Sequence, residues 1–159
     1  MVEAAGRRGV HLEIHELAET THTAEDAARA LGVRVAQIVK SLVFVVPRTS
    51  GVLEPVICLV SGPNRVDVGL LSAVTGEAGI RRATAREARE LTGFSIGGIP
   101  PLGHPRPRRV VMDPDLCPFP EVWAAAGRDG CVFPITPAAL EALTDAIVAP
   151  IAETRAGGA

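Results

Sequence analysis

Ile38-Val39-Lys40-Ser41-Leu42-Val43-Phe44-Val45-Val46 decides the reading of this chain. The run is β-branched and nearly continuous in its apolar character, the pattern of a central strand covered on both faces. Arg48 to Gly51 supplies a turn, and Pro55 to Ser61 (PVICLVS) returns as a second strand, so the pair predicts a β-hairpin with a loop longer than the tightest type. Lys40 is the residue out of place in the first strand. Of the sixteen Lys and Arg residues fifteen are arginine, so the one lysine marks either a place where a compact ammonium does what a planar fork does not, or an equal accident of composition.

Outward from the hairpin the chain alternates strands and short helices. Val10 to Leu17 (VHLEIHEL) alternates apolar and polar residues, as a half-buried strand does. Thr23 to Leu31 has an N-cap threonine, acids in its first turn and Gly32 just past its end, the signature of a helix. Asp67 caps a short helix to Thr75, Ile80 to Ala83 is a small strand, and Thr84-x-x-Glu87 opens a helix that stops at Gly93. Strands follow at Arg109 to Met112, Val122 to Ala126 and Cys131 to Ile135, the last marked as an edge or strand end by Pro134. Thr136-Pro137 launches a final helix through Leu143. The expected fold is a single α/β (α+β) domain over residues 10–152, with about four short helices beside its sheet and flexible termini at 1–9 and 153–159.

A length of 159 residues allows one core of useful size. No window reaches the roughly 20 apolar residues a membrane helix needs, and the first ten residues lack a signal-like apolar core, so a cytoplasmic location is expected. Cys58, Cys117 and Cys131 form no C-x-x-C pair, which leaves them as free thiols and not a disulfide frame or thiolate metal site. No H-E-x-x-H, Walker or G-x-G-x-x-G motif occurs. His11 and His15 share a strand face; a metal pair there is the weak alternative to two exposed imidazoles, and no metal or cofactor is expected.

Gly93 to Pro107 (GFSIGGIPPLGHPRP) has four glycines and four prolines in fifteen residues, which no regular element survives. Such a loop lets backbone approach a ligand and keeps its N–H groups aimed, as an oxyanion or phosphate requires; a tight surface crossover is the equal alternative. Phe94, beside it, belongs either to the core or to the loop. Between Arg81 and Arg109 seven arginines face two acids, a local surplus in a chain whose net charge is −2. Arg106, Arg108 and Arg109, next to the glycine loop, are the candidates for phosphate contact.

Four stretches in register resemble the YbaK/EbsC-like aminoacyl-tRNA deacylases, relatives of the prolyl-tRNA synthetase editing domain. They are Gln37 to Phe44, Ser61 to Asp67, Phe94 to His104 and Glu121 to Gly127. The resemblance implies a curved, barrel-like, mostly antiparallel mixed sheet with flanking helices. It implies hydrolysis of the ester between a wrong, small amino acid and its tRNA. In it Lys40 matches the lysine that fixes the terminal adenosine, and Gly97 and Gly98 the loop backbone that holds the carbonyl. Pro100, Gly103, His104, Phe94, Gly127 and Ala125 fall at substrate-binding positions, with Arg106, Arg108 and Arg109 toward the tRNA. Partners so implied are the tRNA acceptor end and a synthetase or elongation factor. An activated ester needs positioning more than an enzymic nucleophile, which suits this inventory. Ala125 and Asp129 depart from the family's usual serine and base in the late turn, which keeps a non-catalytic module binding aminoacyl-adenosine, a tRNA end or a protein as the second hypothesis.

Overall fold

The computed structural model describes residues 1–18, 21–105 and 108–154. Its centre is the antiparallel hairpin of β2 (Ile38–Pro47) and β3 (Leu53–Ser61), in register from Val39 opposite Ser61 to Pro47 opposite Leu53. Gly51, at φ 85°, closes the turn by donating its N–H to the Arg48 carbonyl at 2.9 Å. Strand alternation sends Val39, Val43 and Val45 of β2 into the main core with Ile57, Leu59 and Phe133, and Phe44 and Val46 into a second cluster with Val56, Cys58 and Leu71. Both faces are therefore covered, which explains the unbroken apolar run.

Beyond β3 lie β5 (Arg109–Met112) and β8 (Ile147–Val148), each parallel to its neighbour. The other edge of β2 is shared. Its start pairs in parallel with β6 (Val122–Ala125), and its far half pairs antiparallel with β4 (Arg81–Arg82). Antiparallel β7 (Cys131–Ile135) and then β1 (His15–Glu16) complete the eight-stranded mixed sheet.

Helices begin where capping residues stand. α2 (Ala24–Leu31), α3 (Val68–Thr75), α4 (Ala85–Thr92) and α5 (Pro137–Thr144) are capped by the side chains of Thr23, Asp67, Thr84 and Thr136, each accepting from a backbone N–H in the first turn. Two differences from the sequence reading have clear causes. The strand expected over Val10 to Leu17 shrinks to His15–Glu16, because Pro134 stands on the side of β7 that faces β1 and has no N–H to extend the ladder. The N-terminus, expected to be flexible, carries α1 (Val2–Gly6), which buries Ala5 completely in the main core. Residues 153 and 154 are the only described part of the other expected flexible end.

Candidate active site

β6 releases β2 after Val39, and β4 takes it up only at Phe44, so the outer edge of β2 stands open between them. A cavity of about 350 Å³ occupies this break. Its rim is polar, with Thr21, His22 and Glu25 from the approach to and first turn of α2, together with Lys40 and Arg82. Its inner wall is apolar and belongs to the main core: Val39, Val43, Ala83, Ala88, Ile99 and Ala124. The gap in the sheet is what lets a surface cleft reach the core.

Lys40 is half-buried, and its Nζ donates to the Asn64 carbonyl at 2.6 Å. Burial pushes the lysine below its ordinary pKa, against the opposing pull of Glu25; the nearby Arg82 and Arg65 push it further down. The carbonyl it meets is fixed in turn. Asn64 Nδ2 donates to Asp113 and Asp115, both at 2.7 Å, and the same Asp113 oxygen accepts from Ser61 N–H at 3.2 Å. Ser61 Oγ donates to the Ala36 carbonyl, and a Cβ on Gly62 would lie 2.3 Å from the Val35 oxygen, so this turn is locked against the segment leading into β2.

Of the residues singled out in the sequence, Lys40, Gly97 and Ala125 line the cavity. Gly97 has φ 96°, a conformation that favours glycine. Gly98 is buried behind it: its N–H donates to the Ser95 carbonyl at 3.0 Å, and a Cβ there would press on the Arg128 backbone. Phe94, Gly127, Pro100, Gly103 and His104 brace the loop from the rear. Phe94 stands edge-on to His104 at 5.8 Å and over Gly127, while His104 Nε2 meets the Pro100 carbonyl at 2.9 Å. Burial lowers the His104 pKa, partly offset by that carbonyl, so a neutral ring donating its Nε2–H fits the contact. Gly103, at φ 81°, leaves room for Met1.

The arginines sort differently from their order in the chain. Arg108 donates to the Leu91 carbonyl, and Arg109 is paired with Glu77 at 2.9 Å and Glu54 at 3.5 Å; neither lines the cavity. Arg106 lies outside the described residues. Arg82 does line it, over the Phe44 ring at 5.7 Å, while its neighbour Arg81 is neutralised by Glu87 at 2.9 Å. Because Arg82 is paired with Phe44, four residues along β2 from Lys40, the two cations share a face. That pairing, and not the crowding of arginines near the loop, was the signal for Arg82. His15 packs edge-on against Trp123 at 5.0 Å, and no cluster of three metal-ligating side chains stands among the described residues.

Such a domain, with an ammonium, a glycine loop and an apolar wall around one cleft, is built to hold a small molecule by an anionic or polar end and an apolar end. The chain belongs to the aminoacyl-tRNA editing domain family, whose pattern matches residues 18–143. It is 25% identical to the candidate Cys-tRNA(Pro)/Cys-tRNA(Cys) deacylase EbsC of Enterococcus faecalis over 81% of this chain and 76% of that one. It is 35% identical to the proline–tRNA ligase of Xanthomonas oryzae over 70% of this chain, which matches 19% of the ligase's length. A crystal structure of a candidate trans-editing enzyme for prolyl tRNA synthetase superposes with TM-score 0.86 at 48% identity, covering 96% of this chain and 94% of that one. The family inferred from the four matching stretches is thus the one found, and the mixed α/β fold agrees with it. No helix among the described residues is long and apolar enough to cross a membrane.

Proposed function

We propose that this chain hydrolyses, in trans, the ester that joins a wrong small amino acid to the 3′ end of a tRNA. The observation that carries the reading is the meeting of Lys40, Gly97 and a buried apolar wall in one cavity at the break in β2. The ammonium takes the phosphate or ribose of the terminal adenosine, and the main chain at Gly97 stands by the ester carbonyl. Val43, Ala83, Ala88 and Ile99 receive the side chain. Water attacks the carbonyl carbon, assisted by the neighbouring ribose hydroxyl. The acyl–oxygen bond breaks, the free amino acid leaves, and the terminal hydroxyl of the tRNA takes the proton. Oxyanion stabilisation and placement can supply most of the acceleration an activated ester needs. The relatives concern prolyl systems, so tRNA(Pro) is the first tRNA to test, with a synthetase or elongation factor as a further partner. The deciding assay uses a panel of charged tRNAs with enzyme in catalytic amount. Multiple-turnover release of small uncharged amino acids, lost by about a hundredfold or more in Lys40→Ala, is expected; no release across the panel, or unchanged release by the variant, defeats the reading. Ala125 at the cavity, where many relatives have a hydroxyl, favours the second reading of a non-catalytic module, and stoichiometric binding without turnover is its mark.

A further inference from the structure

The open edge of β2 has a donor–acceptor chemistry of its own. Ser41 lies opposite Leu59. The Leu59 carbonyl accepts from Asp113 N–H at 2.8 Å, on the side of β3 away from β2. In an antiparallel ladder, opposite residues turn their N–H and C=O either toward each other or both away. Those of Ser41 therefore point outward. Val43 confirms the phase, since its carbonyl accepts from Ala83 N–H at 2.9 Å on that outer edge. β6 has paired with Ile38 and Val39, and β4 with Phe44 and Val45, so Ser41 falls in the gap and its main chain faces the cavity it lines. Its Oγ is also buried without a partner.

A main-chain N–H and C=O left unpaired away from bulk water cost free energy until something binds them. Side by side on one strand residue, they complement the C=O and N–H of one residue on an opposing strand. An aminoacyl ester carries that same pair around a single Cα: ammonium donors on one side and the ester carbonyl on the other. We propose that the aminoacyl group docks on Ser41 as a one-residue β-strand, its carbonyl oxygen accepting from Ser41 N–H and its α-ammonium donating to the Ser41 C=O. This assigns the substrate contact within the deacylase reading and rests on that reading.

Direction follows from the ladder. A residue docked antiparallel continues the line of β4, and its acyl oxygen runs toward the Lys40 end of the gap. Directly opposed residues share a face, so an L side chain falls with those of Ser41, Val39 and Val43, against the wall of Ala88 and Ile99. A D residue keeping both hydrogen bonds takes its side chain off that wall.

The test is amide exchange in the isotopically labelled full chain, with 3′-deoxy-3′-(L-alanylamino)adenosine as a stable analogue. Without ligand, the Ser41 amide exchanges rapidly while Lys40 and Leu42, bonded to β3, are protected. Saturation with the analogue slows Ser41 exchange by about tenfold or more. The propionyl analogue, lacking the amine, binds about tenfold more weakly, the worth of one hydrogen bond to a charged group, and the D-alanyl analogue about fourfold more weakly, the worth of one buried methyl. A Ser41 amide already protected without ligand, exchange unchanged at saturation, or equal binding of the three analogues overturns the proposal. The tRNA panel, run with the same preparation, separates the two failures. Hydrolysis with no response at Ser41 sinks the docking alone; neither hydrolysis nor analogue binding sinks both.

Discussion

Asp113 is 1% exposed and holds the turn that faces Lys40, so its replacement should be felt in stability and in the site together. One of its oxygens accepts from Ser61 N–H and Asn64 Nδ2, and the other from Asp115 N–H at 2.9 Å. Asp113→Asn retains one acceptor and turns the other into a donor. At least one of the three N–H groups is then stranded, at a cost of about 1–3 kcal/mol. Asp113→Ala strands all three and leaves a small void, for about 3–5 kcal/mol. In a domain of this size each kcal/mol moves the Tm by about 2–4 °C. The expected order is therefore wild type, Asn, Ala, with Ala lower by about 6 °C or more, read by urea and thermal unfolding. The Asn64 carbonyl should move with the turn, so the Asn variant, assayed well below its Tm, should lose kcat/KM and regain little of it at saturating substrate. Two variants that unfold together, or an alanine variant within about 1 kcal/mol of wild type, would refute the account of this turn as a rigid mount for Lys40.

Two further outcomes follow from the same residues. Burial depresses the Lys40 pKa, so between its folded and unfolded values the unfolded chain binds more protons; stability should rise with pH across that window while deacylation falls as the ammonium is lost. Lys40→Ala should flatten the stability slope, and parallel slopes for stability and activity in the wild type would contradict the assignment. Arg82→Ala should raise KM and reduce the salt slope of tRNA binding by about one. Arg109→Ala, which breaks only the pairs with Glu77 and Glu54, should leave deacylation within about twofold; the reverse pattern would move the nucleic-acid face to the other side of the sheet.

What could be read from the sequence was local. Thr23, Asp67, Thr84 and Thr136 announce their helices because a cap acts within one turn, and the β2–β3 hairpin follows from two apolar runs joined by a turn. Lys40 was legible as the one lysine among arginines, inside an apolar strand. What the sequence does not show is which distant segments meet. β8 is two residues long and exists because β5 offers an edge to Ile147 and Val148. Arg108 and Arg109 adjoin the glycine loop in the chain, yet β5 carries Arg109 to Glu77 and Glu54. Arg82 was placed at the cavity by its pairing with Phe44, which no motif encodes.

The break between β6 and β4 was hidden for the same reason, and it accounts for how a site can lack a nucleophile–base pair in its sequence and still suit ester hydrolysis. Strand geometry gives three consecutive residues three different directions. Lys40 points its ammonium to one face, Ser41 turns its main chain out through the edge, and Val39 and Val43 project from the opposite face into the core wall. On the proposed reading these three directions meet the three parts of an aminoacyl terminus: nucleotide, ester and side chain. A slip of one residue in the β2–β3 register would exchange the faces and put an apolar side chain where the ammonium stands. That register is held across nine residue pairs of the hairpin, so the substrate's orientation is set by the most extensively paired part of the sheet rather than by a loop.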